Sequence, residues 1–253
     1  MSVVIIIPTY NEKGNIARIA KEVLKLPFVS FLLIVDDSSP DGTGKVADEL
    51  ARSDERVRVL HRASKEGLGA AYVAGFFSAL ALPVGKIVTM DADFSHDPGD
   101  IPRLLAASND ADVVVGSRYV QGGSIVGWGL WRKVMSQLGT KAGRILLALK
   151  AKDCTAGFRC YSREFLESLD VRAISSQGYA FQLEMLFLAQ RDGYSLKEIP
   201  ITFREREAGR SKMGAKEVVE FAASVLSLAL RRLVWKTPFL ASSSRRIYNE
   251  KEK

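Results

Sequence analysis

Cysteine and histidine are scarce in this chain of 253 residues, which has two of each. Cys154 and Cys160 are too few for a disulfide framework, and His61 and His96 lie far from them in sequence, which excludes a zinc site built from cysteine and histidine. No convincing Ser-His-Asp or Cys-His arrangement remains for nucleophilic catalysis. We therefore expect both cysteines to pack in the interior of a protein that works in a reducing environment such as the cytosol.

Long apolar segments are missing as well. The apolar stretch at residues 3–8 is too short for the core of a signal peptide, so we interpret it as a first strand. The best candidate for a membrane span, residues 218–230, contains Glu220 and is followed by Arg231 and Arg232, so it falls short of the roughly 20 apolar residues that a span needs. Its composition favours an amphipathic helix at a membrane interface. Packing of that helix against its own domain is the alternative.

Positive charge is unevenly distributed along the chain. The net charge is +7, with 47% hydrophobic and 26% charged residues, a composition typical of a globular protein with one large or two small domains. Basic residues concentrate in the segments 132–152, 204–216 and 231–246. Such clusters suit an anionic partner, which would be nucleic acid, a membrane surface or a phosphorylated substrate.

Strand and helix patterns alternate from the first residue to about Arg118. Continuous apolar runs without polar alternation, separated by helices, predict an α/β protein with a mainly parallel sheet covered on both faces. The predicted strands cover residues 3–8, 31–35, 57–60, 86–90 and 112–116, and the predicted helices between them cover 15–26, 43–51, 69–82 and 101–107. Further predicted elements are helices over 128–149, 181–191 and 216–235 and an extended segment over 195–203.

Polar clusters follow the predicted strands. PTYNE follows the first strand, DDSSPDGT the second, DADFSH the fourth and GSRY the fifth. In open parallel sheets, ligands bind beyond the carboxyl ends of the strands. We therefore expect the functional site at this edge of the sheet.

Asp91 and Asp93 stand one residue apart at the end of the fourth predicted strand. In an extended chain both side chains point the same way, and two carboxylates that close repel each other unless a cation lies between them. Hard oxygen ligands favour Mg²⁺ or Mn²⁺, so the pair predicts an ion that holds a diphosphate and stabilises it as a leaving group. Helix capping and turn formation before Pro98 would explain the same residues without a metal.

Three other segments admit both a binding role and a structural one. One carboxylate of Asp36 and Asp37 is suited to hydrogen bonds from a base or ribose, although turn and cap formation explains the SPDGT that follows. KEGLGAA resembles a phosphate loop but lacks Walker A spacing, and close backbone approach at Gly67 and Gly69 is the alternative. His96 is either a ligand contact or a histidine of a surface turn.

An ordered set of motifs resembles a known family. The motifs are PTYNE, VDDSSPDGT, KEGLGAAY, MDADFSHDP, VVGSRY, GWGLWRK, TAGFRCY, GYAFQLEM and GRSKMG, within residues 3–220. In this set the chain resembles the dolichol-phosphate mannosyltransferases of the family-2 inverting glycosyltransferases. The resemblance implies a GT-A catalytic domain over residues 1–215, then an amphipathic interfacial helix and a basic flexible tail over 216–253. It also implies transfer of mannose from GDP-mannose to dolichyl phosphate or another polyprenyl phosphate.

The resemblance implies roles for individual residues as well. Asp91 and Asp93 would bracket the divalent cation and the donor diphosphate, and Ser95 stands where some members have a metal-binding Gln. The residues implied in binding the donor, besides these two aspartates, are Pro8, Tyr10, Glu12, Asp37, Gly69 and Ala92.

The acceptor gives the basic clusters a role. A phosphate monoester has a second pKa of about 6, so the acceptor is already a nucleophilic anion at neutral pH and needs no strong general base. The site must instead supply cations that position two phosphate-bearing substrates. We expect the acceptor phosphate to be held for in-line attack by Arg118, Arg132, Arg206, Ser211 and Lys212, with Arg204 as a close rival to Arg206.

Contact with a membrane follows from a lipid acceptor. Trp128 and Trp131 stand beside basic residues in GWGLWRK, a composition suited to a membrane–water boundary. We therefore expect a peripheral enzyme on the cytoplasmic face of a membrane, which would be the endoplasmic reticulum in a eukaryote and the cell membrane in a prokaryote. A membrane-anchored partner subunit is compatible with this expectation.

Two other functions remain open. The same fold with another donor, such as UDP-glucose, would keep the mechanism, because the motifs do not specify the contacts that choose the donor. A non-catalytic nucleotide- or membrane-binding module would keep the fold, although the intact aspartates and arginines argue against it. Nucleic-acid binding would explain the positive charge but not the acidic strand ends, so we expect no nucleic-acid partner.

Overall fold

The computed structural model of the protein describes residues 2–170, 174, 176, 178–205 and 215–235. Its strands are β1 (Val3–Thr9), β2 (Val29–Asp36), β3 (Val57–His61), β4 (Lys86–Thr89), β5 (Val113–Ser117), β6 (Ser124–Val126), β7 (Arg159–Ser162), β8 (Leu196–Pro200) and β9 (Thr202–Arg204). Its α-helices are α1 (Ile16–Leu24), α2 (Thr43–Ser53), α3 (Leu68–Leu80), α4 (Ile101–Ala107), α5 (Leu130–Leu147), α6 (Arg163–Ser168), α7 (Gly178–Arg191) and α8 (Ala215–Trp235).

Seven strands form one sheet in the order β3-β2-β1-β4-β7-β5-β8. Neighbouring strands are parallel except at β7, which runs antiparallel to both β4 and β5. Strands β6 and β9 form a separate parallel ribbon. The prediction of a mainly parallel sheet flanked by helices is therefore confirmed.

Side chains of the sheet contribute to two cores, one on each face. In β1, Val4 and Ile6 pack into one core, and Val3, Ile5 and Ile7 pack into the other. Because side chains alternate along a strand, a strand covered on both faces must be apolar at successive positions, which explains the unbroken apolar run. Helices α3, α5, α6, α7 and α8 cover the first face, and α1, α2 and α4 cover the second.

The predicted elements occur in the predicted order, with three additions and one division. The sequence pattern does not predict β6, β7 or α6, because all three are short and β7 carries a buried arginine, Arg159. The extended segment predicted over 195–203 is divided at Ile201, since β8 pairs with β5 in the main sheet whereas β9 pairs with β6. Strand β7 separates the two parallel parts of the sheet, which are β3-β2-β1-β4 and β5-β8.

Helix α8 packs against α5 and α7. Val225 and Leu228 are buried in this contact, whereas Leu226 and Leu230 are exposed. Packing against the domain, the alternative stated for this helix, therefore occurs at these positions. Among the described helices, none combines the length and the apolar composition required to cross a bilayer. The boundary at residue 215 stays a prediction, and residues 236–253 lie outside the described part of the chain.

Candidate active site

The candidate site lies where β1, β2 and β4 end, at the carboxyl edge of the sheet. The loop after each of these strands holds one non-glycine residue with a positive φ of 60°: Asn11, Ser38 and Phe94 respectively. Side chains rarely tolerate this backbone conformation, which persists where surrounding contacts hold it and is frequent at functional sites. This edge is therefore where the described chain concentrates its backbone strain.

Asp36 joins the loops after β1 and β2. Its carboxylate is buried and accepts hydrogen bonds from the hydroxyls of Thr9, at 3.1 Å, and Ser39, at 2.5 Å. The backbone N–H of Asn11 in turn donates to the Ser39 hydroxyl at 3.0 Å. Asp36, the first of the two consecutive aspartates in DDSSPDGT, therefore has a structural role.

Asp37 anchors the loop that leads into α3. Its buried carboxylate pairs with Arg62 and accepts the backbone N–H groups of Glu66, at 3.2 Å, and Gly67, at 2.9 Å. Gly67 has a φ of +96°, which glycine adopts without strain. Gly67 therefore has a structural role in this loop, while Gly69 is buried in the first turn of α3. The nucleotide contacts of Asp37 and Gly69 stay predictions.

The loop after β1 carries the other residues expected to contact a nucleotide. Pro8 is buried in β1, and the half-buried ring of Tyr10 has the Lys65 ammonium 3.9 Å from its centre. The backbone N–H of Glu12 donates to the Thr43 hydroxyl at 2.9 Å. Because β1 and β2 are neighbours, these residues and Asp37 share one edge of the sheet.

Asp91 and Asp93 occupy the turn after β4. Asp93 is buried, and its Oδ1 accepts the backbone N–H of Ser95 at 3.0 Å. Asp91 is partly exposed, and Ala92 between them is buried. The Ser95 hydroxyl is buried and has no hydrogen-bond partner among the residues described.

The ligand atoms at this turn suit a hard divalent cation, because the two carboxylates and the Ser95 hydroxyl supply only oxygen. An unpaired buried hydroxyl is unusual in a folded protein and fits a site that expects a ligand. In the part of the chain that the structure describes, no three His, Cys, Asp or Glu side chains are grouped as a metal site. An ion held by these two aspartates would complete its coordination with substrate phosphates and water, as Mg²⁺ commonly does.

His96 is buried, so its interpretation as a surface-turn residue is wrong. Its ring stacks on Phe158 with centroids 5.1 Å apart and meets Phe203 edge-on at 5.4 Å. Burial lowers the pKa of His96 to about 4, so the imidazole is neutral at neutral pH. Its Nδ1 lies 3.2 Å from the Asp91 backbone nitrogen and accepts that N–H. His96 thus shapes the turn that presents Asp91.

The cysteines behave as expected. Cys154 and Cys160 are buried free thiols. Burial raises the pKa of Cys154 to about 12 and the pKa of Cys160 to about 11, so neither is a nucleophilic thiolate at neutral pH.

Arg118 forms a buried ion pair with Asp153, a residue that sequence reasoning missed. Its Nε and Nη2 donate to the two Asp153 oxygens at 2.7 and 2.6 Å, and Nη2 also donates to the Thr155 hydroxyl at 2.7 Å. Burial alone would raise the pKa of Asp153, but the charge and hydrogen bonds of Arg118 outweigh it and lower that pKa. Nη1 is the guanidinium nitrogen that these contacts do not use.

Of the other residues predicted to bind the acceptor, the structure describes Arg132 but not Arg206, Ser211 or Lys212. Arg132 lies 4.1 Å from the centre of the Trp128 ring and pairs with Glu205 at 3.0 Å. Arg118 lies 5.8 Å from the same ring, so both arginines contact one indole. The remaining residues, Arg206, Ser211 and Lys212, lie outside the described part of the chain, and their roles stay predictions.

A cavity of about 460 Å³ opens beside Arg118. Its lining includes three exposed cations of the basic segment 132–152: Lys141, Arg144 and Lys152. None of these three forms an ion pair with a described residue. The cavity therefore places unneutralised positive charge next to Arg118 and suits an anionic ligand.

Tyr72 and Gln182 are two further site residues that sequence reasoning missed. Their polar ends approach Asp91 next to Gly157. Both lie within the matched motifs KEGLGAAY and GYAFQLEM, which was the available signal. An apolar helix pattern by itself gives no sign that two such side chains meet.

Comparisons with known proteins agree with the resemblance seen in the sequence motifs. Residues 4–170 match the family described as Glycosyl transferase family 2. The chain is 46% identical over 229 residues to a Mycolicibacterium smegmatis protein named polyprenol monophosphomannose synthase, covering 90% of this chain and 86% of that protein. It is 47% identical over 225 residues to a Micrococcus luteus protein named undecaprenyl-phosphate mannosyltransferase, covering 89% and 93% of the two chains.

Solved structures share the fold. Glucosyl-3-phosphoglycerate synthase from Mycobacterium tuberculosis, in complex with Mn²⁺, uridine diphosphate and phosphoglyceric acid, gives a TM-score of 0.64 at 20% identity and covers 90% of this chain and 78% of that chain. Its complex with Mn²⁺ and UDP-glucose gives 0.62 at 19% identity, covering 91% and 78%. At this identity the likeness shows the fold alone, and it confirms the GT-A-like architecture. The chain belongs to glycosyl transferase family 2 and is a glycosyltransferase, as its motifs implied.

Proposed function

We propose that this glycosyltransferase transfers mannose from GDP-mannose to a polyprenyl phosphate, dolichyl phosphate among them, with inversion at the anomeric carbon. The observation that carries the proposal is 46% and 47% identity, over about nine tenths of the chain, to proteins named for polyprenol monophosphomannose synthesis and undecaprenyl-phosphate mannosyl transfer. The arrangement of acidic and cationic residues at one edge of the sheet supports it.

On the donor side, Asp91 and Asp93 would hold a divalent cation, Mg²⁺ or Mn²⁺, with the Ser95 hydroxyl as a candidate further ligand. Such an ion neutralises a donor diphosphate and stabilises it as a leaving group. The residues proposed to bind the nucleotide part of the donor are Pro8, Tyr10, Glu12, Asp37, Gly69 and Ala92.

On the acceptor side, the chain would hold a phosphate dianion. Asp153 fixes Arg118 so that Nη1 is the nitrogen left for the phosphate, and Trp128 supports Arg132 from one face. Because the dianion is already nucleophilic, the reaction needs positioning rather than a general base. His96 agrees with a reaction that needs no general base, because it is buried and neutral and its Nδ1 accepts the backbone N–H of Asp91.

The acceptor's lipid chain requires contact with a membrane. Leu130 and Trp131 at the start of α5 are 80% and 75% exposed, and Leu226 and Leu230 of α8 are also exposed. We propose that these apolar side chains enter the interface of the cytoplasmic leaflet, with cations of the same helices near the lipid phosphates. The enzyme would then be a peripheral membrane protein.

A transfer assay tests this function. Purified protein in mild detergent is incubated with labelled GDP-mannose and dolichyl phosphate, with Mg²⁺, with Mn²⁺ or with a chelator, and the products are extracted into organic solvent. Label in the organic phase that disappears with the chelator is the expected result. Label from UDP-glucose but not from GDP-mannose would replace the donor, and no label from any sugar nucleotide would refute catalysis.

Two variants sharpen this assay. Asp91→Asn should lower transfer by roughly 100-fold or more, the order seen when a group that stabilises transition-state charge is removed. Asp97→Asn is the matched control, because Asp97 is exposed and its Oδ1 only accepts the backbone N–H of Gly99, at 2.8 Å, in the same turn region. Equal activity of the two variants would remove Asp91 from the mechanism.

A further inference from the structure

Three polar side chains converge on a small space next to Gly157. Gly157 lies between α5 and β7, and its carbonyl accepts the Thr89 hydroxyl at 2.8 Å, which fixes it beside the end of β4. A methyl group on Gly157 would lie 3.4 Å from the Tyr72 hydroxyl. It would also lie 3.6 Å from both Asp91 Oδ1 and Gln182 Nε2. The space is therefore bounded by α3, by the turn after β4 and by α7.

Two of these side chains are buried with unused hydrogen-bonding groups. Tyr72 is fully buried and Gln182 is 2% exposed. Within the described residues, neither the Tyr72 hydroxyl nor Gln182 Oε1 has a hydrogen-bond partner. Buried polar groups are nearly always paired, so the unpaired Tyr72 hydroxyl beside the Gln182 amide indicates a ligand that completes it.

Packing holds both groups in place before any ligand arrives. The Tyr72 ring stacks on Phe181, with centroids 5.4 Å apart and planes at 11°. Arg159 is fully buried and donates to the backbone carbonyls of Gln182 and Ala156, each at 2.8 Å, which ties this loop to α7. Groups fixed in this way bind a ligand with little further loss of conformational freedom.

The chemistry of the space matches a hydroxyl rather than a phosphate. Gln182 offers a donor and an acceptor, Tyr72 offers a hydroxyl, and the Asp91 carboxylate offers only acceptors. A sugar hydroxyl both donates and accepts, so it complements this set. A phosphate dianion has no proton to donate to the Asp91 carboxylate, so it does not complement this set.

We propose that this space is a niche that receives a hydroxyl group of the hexose carried by the donor nucleotide. The inference rests on the proposed function, because it requires a nucleotide sugar at the turn after β4. A site that hydrogen-bonds a substrate hydroxyl discriminates strongly against sugars that lack it, since the site's own polar groups are then left unpaired. The niche would therefore help to select the sugar.

Gly157→Ala tests whether the space is used. The fold tolerates the methyl group, because its nearest neighbours would be in ordinary van der Waals contact, but the methyl fills the position of the hydroxyl. Gly85→Ala is the matched control. Gly85 lies just before β4, at the end of that strand opposite to Thr89 and Gly157, and an added methyl would meet nothing within 4 Å.

The measurement is calorimetric titration of each protein, with Mg²⁺ present, by GDP and by GDP-mannose. We expect Gly157→Ala to bind GDP like the wild type and to bind GDP-mannose at least tenfold more weakly, with an unchanged unfolding temperature. Gly85→Ala should match the wild type in all three measurements. If Gly157→Ala binds GDP-mannose as the wild type does, the space holds at most an ordered water and the niche is refuted.

Tyr72→Phe combined with GDP-mannose analogues identifies the hydrogen bond. This change removes only the hydroxyl and keeps the ring stacked on Phe181, so the free protein should lose little stability. Wild-type protein should bind one of the singly deoxygenated mannose analogues at least tenfold more weakly than GDP-mannose. In Tyr72→Phe that difference should shrink, because the hydrogen-bond partner is gone. A difference of the same size in both proteins would remove Tyr72 from the niche.

The outcomes also separate this inference from the function on which it rests. A wild-type protein that binds and transfers mannose, together with variants that behave identically to it, refutes the niche alone. A wild-type protein that binds UDP-glucose instead changes the donor, and the same comparison of nucleotide with nucleotide sugar then decides the niche. A wild-type protein that binds no nucleotide sugar refutes both.

Discussion

At the scale of single residues, the site depends on buried charges held by specific partners. Asp153 is fully buried and accepts two hydrogen bonds from the Arg118 side chain and one from its backbone N–H. The ion pair with Arg118 lowers the pKa of Asp153 in the folded protein, so the pair stabilises the fold at neutral pH. This contribution is lost as the pH falls below 3.8, the usual pKa of an aspartate carboxyl group. Arginine orientation in the site is therefore coupled to stability.

Asp153→Asn should be strongly destabilising. The change leaves the buried Arg118 guanidinium without a counter-charge, and breaking a buried pair from one side costs about 3 to 5 kcal/mol of unfolding free energy. Asp110→Asn is the control, because Asp110 pairs with Lys197 at the surface, where its side chain is 76% exposed. Urea denaturation at neutral pH measures both. Equal unfolding free energies for the two variants would contradict the importance of the buried pair.

At the scale of elements, a glycine of α5 lies close to one side chain of α7. A methyl group on Gly143 would lie 2.4 Å from Cδ2 of Leu183, which is fully buried on α7. On the same helix, a methyl group on Gly139 would meet only Phe221 Cε1, at 3.9 Å. The two glycines thus have the same secondary structure and different surroundings.

Gly143→Ala and Gly139→Ala separate packing from helix propensity. Both changes gain the same preference of alanine for a helix, about 1 kcal/mol. Only Gly143→Ala overpacks the contact, which costs about 1 to 3 kcal/mol. We expect Gly143→Ala to be less stable than Gly139→Ala by that amount in chemical denaturation. Equal stabilities would mean that α5 and α7 do not pack this closely.

At the scale of the whole molecule, the exposed apolar side chains of α5 and α8 are proposed to face a membrane. Trp131→Glu should weaken binding to anionic phospholipid vesicles by roughly tenfold or more, because apolar area is lost and negative charge is added. Its unfolding temperature should stay unchanged, since the side chain is 75% exposed. Phe77→Glu on α3 adds the same charge outside these two helices and should retain binding in a sedimentation assay. Equal losses in both variants would indicate a purely electrostatic attraction.

Much of the fold was predictable because its signals are local. The runs of β-branched residues in β1 and β2 and the helical spacing in α1 and α4 follow from residues close together in the chain. Strand β7 was not predictable in this way. Its four residues include Arg159, and only the three carbonyls that accept from that guanidinium make the buried position acceptable.

The sequence by itself determined the alternation of strands and helices, the polar clusters at the strand ends and the family, because each of these is written in short segments and their order. Only the tertiary structure decided which polar groups meet. Arg118 pairs with Asp153, which is 35 residues away along the chain. The order of the strands and the antiparallel insertion of β7 bring together four other residues: Tyr72, Asp91, Gly157 and Gln182. Such contacts depend on how whole elements pack, which no local pattern encodes.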